Sequence, residues 1–247
     1  MKKIYALMLA AACAICLAGC TREILVSDEA VANQETTPGE TTPVGNVAGI
    51  VMDFTATWCV NCPRMTTAIE EASAERPLIP ICVHFQDEFV NDQGKALISH
   101  FGVEAYPSAV VNMFKESLTT TTSKDLIIAK LKTIGAMIAV PILKAELADG
   151  TLKVKVTGGD NGSYTVSAAV LEDGLVAPQT GATDNYVHNN VFRGFLQENL
   201  LGDSLGEFSN GETKELSFNA GTLTQNQHVA VYVCIDGIVK AATDIRI

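Results

Sequence analysis

The sequence predicts an α/β domain of order β-α-β-α-β-β-α followed by an all-β antiparallel sandwich domain. Three observations carry this. Between residues 47 and 140, short apolar runs alternate with segments of helical period. Beyond residue 143 the pattern changes to alternating apolar and polar positions, the period of a half-buried strand. Turn signals, Asp149-Gly150 and Asp236-Gly237, separate the later runs.

Ahead of both domains, "MKK" and the apolar run "IYALMLAAACAICLAG" read as an export signal, too short for a comfortable membrane span. The signal covers residues 1–19. Residues 20–46, rich in Thr, Glu, Pro and Gly and without period, read as a tether.

"VAGIVMDF" (47–54) is continuously apolar, as a strand buried on both faces requires. The first helix follows, with Met65, Ala68, Ile69 and Ala72 at i, i+3, i+4 and i+7, and Pro77 stops it. "LIPICVHF" (78–85) is a second buried strand. "DQGKALISHFGV" (92–103) is a short helix with Asp92 as N-cap. "YPSAVVNMF" and "SLTTTT" read as two strands joined by a tight turn. Residues 123–140 form a third helix, capped by Ser123 and ended by Pro141.

The domain boundaries are thus 47–143 and 144–247. In the second, "TLKVKVTGG", "SYTVSAAVLEDG", "TKELSFNA", "HVAVYVCI" and "IVKAATDIRI" are strands. Several short strands without helical period argue for a sandwich. "DNGS" (160–163) reads as a hairpin turn, and residues 174–205 as an irregular excursion.

Lys and Arg number 17 against 28 Asp and Glu, a formal charge of −11. An acidic chain without a basic stripe repels phosphate backbones, which sets nucleic acid aside as a partner. With 47% apolar residues and 18% charged, the chain builds a core instead of staying disordered.

Once a signal is removed, Cys59, Cys62, Cys82 and Cys234 are the thiols that matter. A C-x-x-C pair can grip a metal, staple a loop or exchange disulfides. A structural zinc site needs four ligands, and the histidines (84, 100, 188, 228) show no paired spacing. A bridge over two residues closes too small a loop to stabilise much. Redox exchange remains. Cys59, after a strand and opening a helix, meets unpaired N–H groups that favour a thiolate. Cys62, one turn on, is placed to resolve a mixed disulfide. Pro63 suits the first helical turn.

"VMDFTATWCVNCP" resembles the active-site segment of the thioredoxin superfamily, and "GVEAYPSAVV" resembles that family's cis-proline loop. The resemblance covers roughly residues 47–140 and implies a thioredoxin-like first domain. It implies Cys59 as nucleophile, Cys62 as resolving thiol and Asp53 as the buried acid that assists proton transfer. It also implies Trp58, Tyr106 and Pro107 as the docking surface for a protein thiol or disulfide, with no cofactor beyond the Cys59–Cys62 couple and no metal. Val60-Asn61 stands where thioredoxin itself has Gly-Pro, which leaves the potential and the direction of electron flow open.

"LAGC" (17–20) resembles a bacterial lipoprotein signal, which implies lipid on Cys20 and a membrane anchor outside the cytoplasm. Signal, thioredoxin-like domain and β-domain together resemble the twenty-eight-kilodalton outer-membrane protein family, on domain order and on Tyr186, His188, Asn189 and Arg193. That resemblance implies an outer-membrane location.

The sequence-based expectation is therefore a membrane-anchored thiol–disulfide oxidoreductase. The alternative is a surface interaction lipoprotein whose thioredoxin-like domain is a non-catalytic scaffold. Cys82 and Cys234 read as buried small hydrophobes. His188 and Arg193 mark a possible loop site. "QDEFVND" (86–92) reads as a solvated acidic loop.

Overall fold

The computed structural model describes residues 44–47, 49–134 and 141–247. The signal, Cys20, most of the tether and the end of the third predicted helix lie outside the described residues.

The first strand, β1 (Val44–Val47), is followed by β2 (Gly49–Thr55), α1 (Cys62–Glu75), β3 (Leu78–His84), α2 (Asp92–Phe101) and β4 (Ser108–Val111). A 3₁₀ turn (Lys115–Ser117) and α3 (Lys124–Ile134) complete this part. β2 is buried along its whole length, as its apolar run requires. Ile50, Met52 and Phe54 face one side and pack on Leu97, Ile98 and Phe101 of α2. Val51 faces the other side, where α1 offers Met65, Ala68, Ile69 and Ala72 and α3 offers Ile127 and Ile128. The α1 residues are those that the helical period singled out.

Three details depart from the sequence-based expectation. The cap of α2 is Asn91, whose Oδ1 accepts from the Gly94 N–H at 2.8 Å, and not Asp92. "SLTTTT" forms no strand: Asn112 and Met113 take positive φ, the 3₁₀ turn follows, and one bridge between Ala109 and Thr119 survives. The last residues of the expected tether form β1, which pairs antiparallel with the final strand.

Beyond residue 141 the chain is all β. It runs through β5 (Ile142–Ala148), β6 (Thr151–Thr157), β7 (Gly162–Glu172), β8 (Leu175–Ala177), β9 (Tyr186–His188) and β10 (Val191–Phe195). It ends with β11 (Asp203–Phe208), β12 (Thr213–Asn219), β13 (Gln227–Ile235) and β14 (Ile238–Arg246). The Asp149-Gly150 and Asp236-Gly237 turns both have positive φ at both residues, as tight hairpins need.

β5, β6 and β12 form a small antiparallel sheet. Its Leu143, Leu152, Val154 and Val156 meet Tyr164, Val166 and Ala168 of β7 and the odd positions 229–235 of β13. The "DNGS" segment is no hairpin. β6 and β7 pair with other strands, and the turn carries the chain from one sheet to the other.

The change of pattern at residue 143 is not a gap in the structure. One nine-stranded sheet runs β1-β14-β13-β7-β10-β3-β2-β4, with β11 also on β7. β10 pairs parallel with β3, joining the earlier and later halves of the chain. The core beneath α2 is common to both halves: Ala169, Leu171, Phe192 and Tyr232 share it with β2 and β3. The α2 cap and an α2 side chain stitch the join: Asn91 Nδ2 donates to the Phe192 carbonyl at 2.7 Å, and Gln93 Oε1 accepts from the Phe195 N–H at 2.6 Å.

A fragment of residues 47–143 therefore loses the outer partner of β3 and several core side chains, each contributing roughly 1.5–3 kcal/mol. We expect it to show no cooperative thermal unfolding by circular dichroism. A sigmoidal melt would contradict the shared core.

Candidate functional site

β2 ends at Thr55 and the chain turns through residues 56–61 before α1. The Cys59 N–H donates to the Ala56 carbonyl at 3.1 Å, and the Cys62 N–H to the Cys59 carbonyl at 3.3 Å. Cys59 and Cys62 form a disulfide, with Cα atoms 5.4 Å apart. The helix starts at Cys62, so Cys59 sits a turn ahead of it and does not open it. Pro63 occupies the first turn, where its missing N–H costs nothing. Cys62 is 1% exposed and Cys59 5%, while Trp58 and Val60 stand out at 46% and 58%. The disulfide lies just under an apolar rim.

Asp53 is buried and lines the same cavity as Cys62. Alternation along β2 turns Asp53 toward α1, where Thr66 Oγ1 donates to Oδ2 at 3.2 Å. Oδ1 has no partner. Burial raises the carboxyl from its ordinary value to about 7, and the Thr66 bond offsets only part of this. Cys82 is the register partner of Asp53 on β3. Its thiol is pushed well above the ordinary range by burial, then by the charges of Asp53, Glu70 and Asp173. Cys82 is thus buried, as expected of a small hydrophobe, but it lines the same small cavity as Asp53 and Cys62. Cys234 is free and lies in the shared core.

Aromatic side chains close one flank. The Tyr106–Pro107 peptide is cis. Tyr106 packs on Ala56, Cys59 and Cys62, stacks on Phe85 at 5.2 Å and meets the edge of Trp58 at 5.7 Å. Burial raises its phenol to about 12. Trp58 Nε1 donates to the Phe85 carbonyl at 3.0 Å.

The acidic loop after β3 braces the disulfide turn. Asp87 Oδ2 accepts from the Thr57 N–H at 2.9 Å and lies 2.6 Å from His84 Nδ1. Burial acts to raise this carboxyl, yet the bonds from His84, Thr57 and Phe89 together hold it below its ordinary range. A loop read as solvated is therefore partly built into the site.

The later half of the chain supplies the other flank. β8 and β9 form a two-stranded ribbon, and the loop between them lies on the disulfide turn. Gln179 Nε2 stands 3.3 Å from the Ala56 carbonyl and 3.0 Å from that of Cys59. The Thr180 N–H donates to the Thr57 carbonyl at 2.8 Å. Gly181, at positive φ, lies so close to the Val60 carbonyl that a side chain would collide with it. His188 packs against His84 and Phe89, and its Nε2 has no partner. Burial, then the charge of His84, lowers its pKa. Arg193 is elsewhere, paired across strands with Glu172 at 3.2 Å. The structure thus brings His188 to the cavity that Cys62 and Asp53 line and leaves Arg193 at the surface. Among the described residues no group of three or more His, Cys, Asp and Glu is placed to hold a metal ion.

The model of the family "Outer membrane protein Omp28" matches residues 94–244. The chain belongs to this family. The Omp28 match runs from α2 to β14 and takes in the ribbon and β10. It starts after the C-x-x-C segment. Omp28 membership supports an outer-membrane or extracytoplasmic location. The chain's fold is similar to that of HBP35 of Porphyromonas gingivalis, with TM-score 0.61 and 21% identity over 83% of this chain and 75% of that one. It is also similar to a crystal structure of an Agrobacterium tumefaciens protein, with TM-score 0.58 and 15% identity over 81% and 94% of the two chains. No curated protein matches the sequence. Among the described residues no helix is long and apolar enough to cross a membrane.

The Asp53 carboxyl sets a pH dependence of stability. Its pKa rises from the ordinary 3.8 to about 7 on folding. Between these the folded chain keeps a proton that the unfolded chain has lost, so this group's contribution falls as pH rises through the window and is level above it. Asp53→Asn removes the slope. From about pH 4 to about pH 8, the variant gains about 2–4 kcal/mol relative to the parent. Urea titrations across that range measure it, and a constant difference would contradict the raised carboxyl.

Proposed function

We propose that this Omp28-family protein is an extracytoplasmic thiol–disulfide oxidoreductase, anchored to the outer membrane through lipid on Cys20, whose β2–α3 part is a thioredoxin-like unit. The observation that carries the reading is a buried acid of raised pKa that lines the same cavity as Cys62 of a C-x-x-C disulfide. A structural disulfide has no use for such a group, whereas exchange needs one to take and return the proton of the resolving thiol.

In this mechanism a partner disulfide docks over Trp58, Tyr106 and Pro107 of the reduced site, and a partner dithiol is oxidised by the same steps in reverse. Cys59 forms the mixed disulfide, because Cys62 lies deeper. Cys62 then attacks the Cys59 sulfur as Asp53 accepts its proton, and the partner sulfur leaves as a thiolate. The sulfur couple itself carries the electrons, so no added cofactor enters. Partners are protein thiols and disulfides. The net charge of −11 argues against nucleic acid.

The second reading is a surface interaction module with a locked dithiol. It is favoured by the Gln179 loop, which bonds to the turn and packs against Val60.

A Cys62→Ser variant separates the two. After acid quenching and alkylation, the redox reading expects mixed disulfides through Cys59 on non-reducing gels, absent when Cys59 is also replaced. No trapped adduct in cells expressing the variant favours the locked module. For the anchor, Cys20→Ala is expected to move the protein from the membrane to the soluble fraction, and continued membrane retention would count against lipidation.

A further inference from the structure

Residues 178–185 link β8 to β9 and are exposed with a single exception. Gln179 is 6% exposed and turns inward onto the disulfide turn. Its Nε2 donates to the Cys59 carbonyl at 3.0 Å and to the Ala56 carbonyl at 3.3 Å, and the Thr180 carbonyl at 3.2 Å shares the amide hydrogens. Next along the loop, the Thr180 N–H takes the Thr57 carbonyl at 2.8 Å. Gly181 then sits so close over the Val60 carbonyl that no Cβ fits. The loop also holds its own shape. The Gln179 N–H donates to the Thr183 carbonyl at 3.0 Å, and the Ala182 N–H donates to the Gln179 carbonyl at 3.0 Å. The pairing of Ala177 with Tyr186 fixes its ends.

The carbonyls of residues 56, 57, 59 and 60 are thus covered by one strap from the later half of the chain. A partner that reached Cys59 by pairing its main chain with this turn would find those acceptors taken. Cys59 is 5% exposed, so an incoming sulfur has to reach in past the rim, where Trp58 stands 46% exposed. A sulfur on a small molecule or on an extended segment can do so. A sulfur set in a broad folded surface meets the strap first.

We propose that Gln179 is a specificity-determining residue: by pinning the β8–β9 loop over the disulfide turn, it admits small or extended thiols and holds off thiols set in folded surfaces. The inference rests on the redox reading above. In the direction that reduces this chain, a partner thiolate attacks the Cys59 sulfur. The Cys59–Cys62 bond breaks, and Cys62 leaves with the electron pair and takes a proton from Asp53. The partner's second thiolate then attacks the partner sulfur of the mixed disulfide and releases the Cys59 thiolate. The partner is oxidised by two electrons and the Cys pair is reduced. The strap bears on the first attack, the step in which a second molecule has to reach Cys59.

The test reduces the oxidised full chain with dithiothreitol or, separately, with the small folded dithiol protein thioredoxin. Acid quenching, alkylation and gels give the rate for each. Two variants open the strap by different means. Gln179→Ala removes the side-chain bonds to the turn, and Gly181→Ala sets a methyl group against the Val60 carbonyl. In each, the ratio of the thioredoxin rate to the dithiothreitol rate is expected to rise roughly tenfold, the shift in open population that two ordinary hydrogen bonds control. A loop that only stabilises the fold raises both rates together when weakened. A parental ratio in both variants therefore overturns the filter and leaves the redox reading intact. A parent disulfide that neither reductant opens overturns the redox reading as well.

Discussion

The pairing of β10 beside β3 is the constraint on which the rest depends. β3 is buried on both faces, and both of its edges need partners in a sheet whose far side faces a packed core. β2 takes one edge. The other is taken in parallel by a strand more than a hundred residues later, with Val191 opposite Cys82 and the Cys82 N–H donating to the Asn190 carbonyl at 2.9 Å. A chain that must enter β10 at this point has to arrive past the disulfide. The β8–β9 ribbon is that arrival, and it brings Gln179, Tyr186 and His188 onto a site whose sulfur atoms belong to the first half of the chain.

The site then divides by depth. At the surface, Trp58, Val60 and the cis Tyr106–Pro107 peptide form an apolar rim. Below it lies the disulfide, and the cavity lined by Cys62 also holds Asp53, whose carboxyl burial raises to about 7. Loops from both halves tie down the carbonyls and amides of the turn: Asp87 holds the Thr57 amide, while Gln179 takes the Ala56 and Cys59 carbonyls.

What the sequence revealed follows from the range of each interaction. Met65, Ala68, Ile69 and Ala72 were legible as one helix face because period is local, and the run around Ile50 to Phe54 was legible as a doubly buried strand for the same reason. Cys59, Cys62, Asp53 and Pro107 stood out through short motifs. Asn91 displaced Asp92 as cap because its amide also reaches the Phe192 carbonyl, a tertiary contact that no window of sequence contains. The shared sheet was hidden likewise, since only five residues of β10 make the join. Gln179 lies in "PQTGATDN", a stretch with turn composition and no period. Thr66 looked like an ordinary polar position on a helix. Tyr186 and His188 were legible as part of a motif, but their place on the cavity that Cys62 lines depends on the β3–β10 pairing.

The most direct test of the account is the reduction potential of the Cys59–Cys62 couple in the full chain, measured by equilibration with glutathione and dithiothreitol buffers. A couple that exchanges with extracytoplasmic partners is expected between about −120 and −270 mV. A value below about −300 mV marks a bridge that no such partner reduces, and would contradict a working redox site.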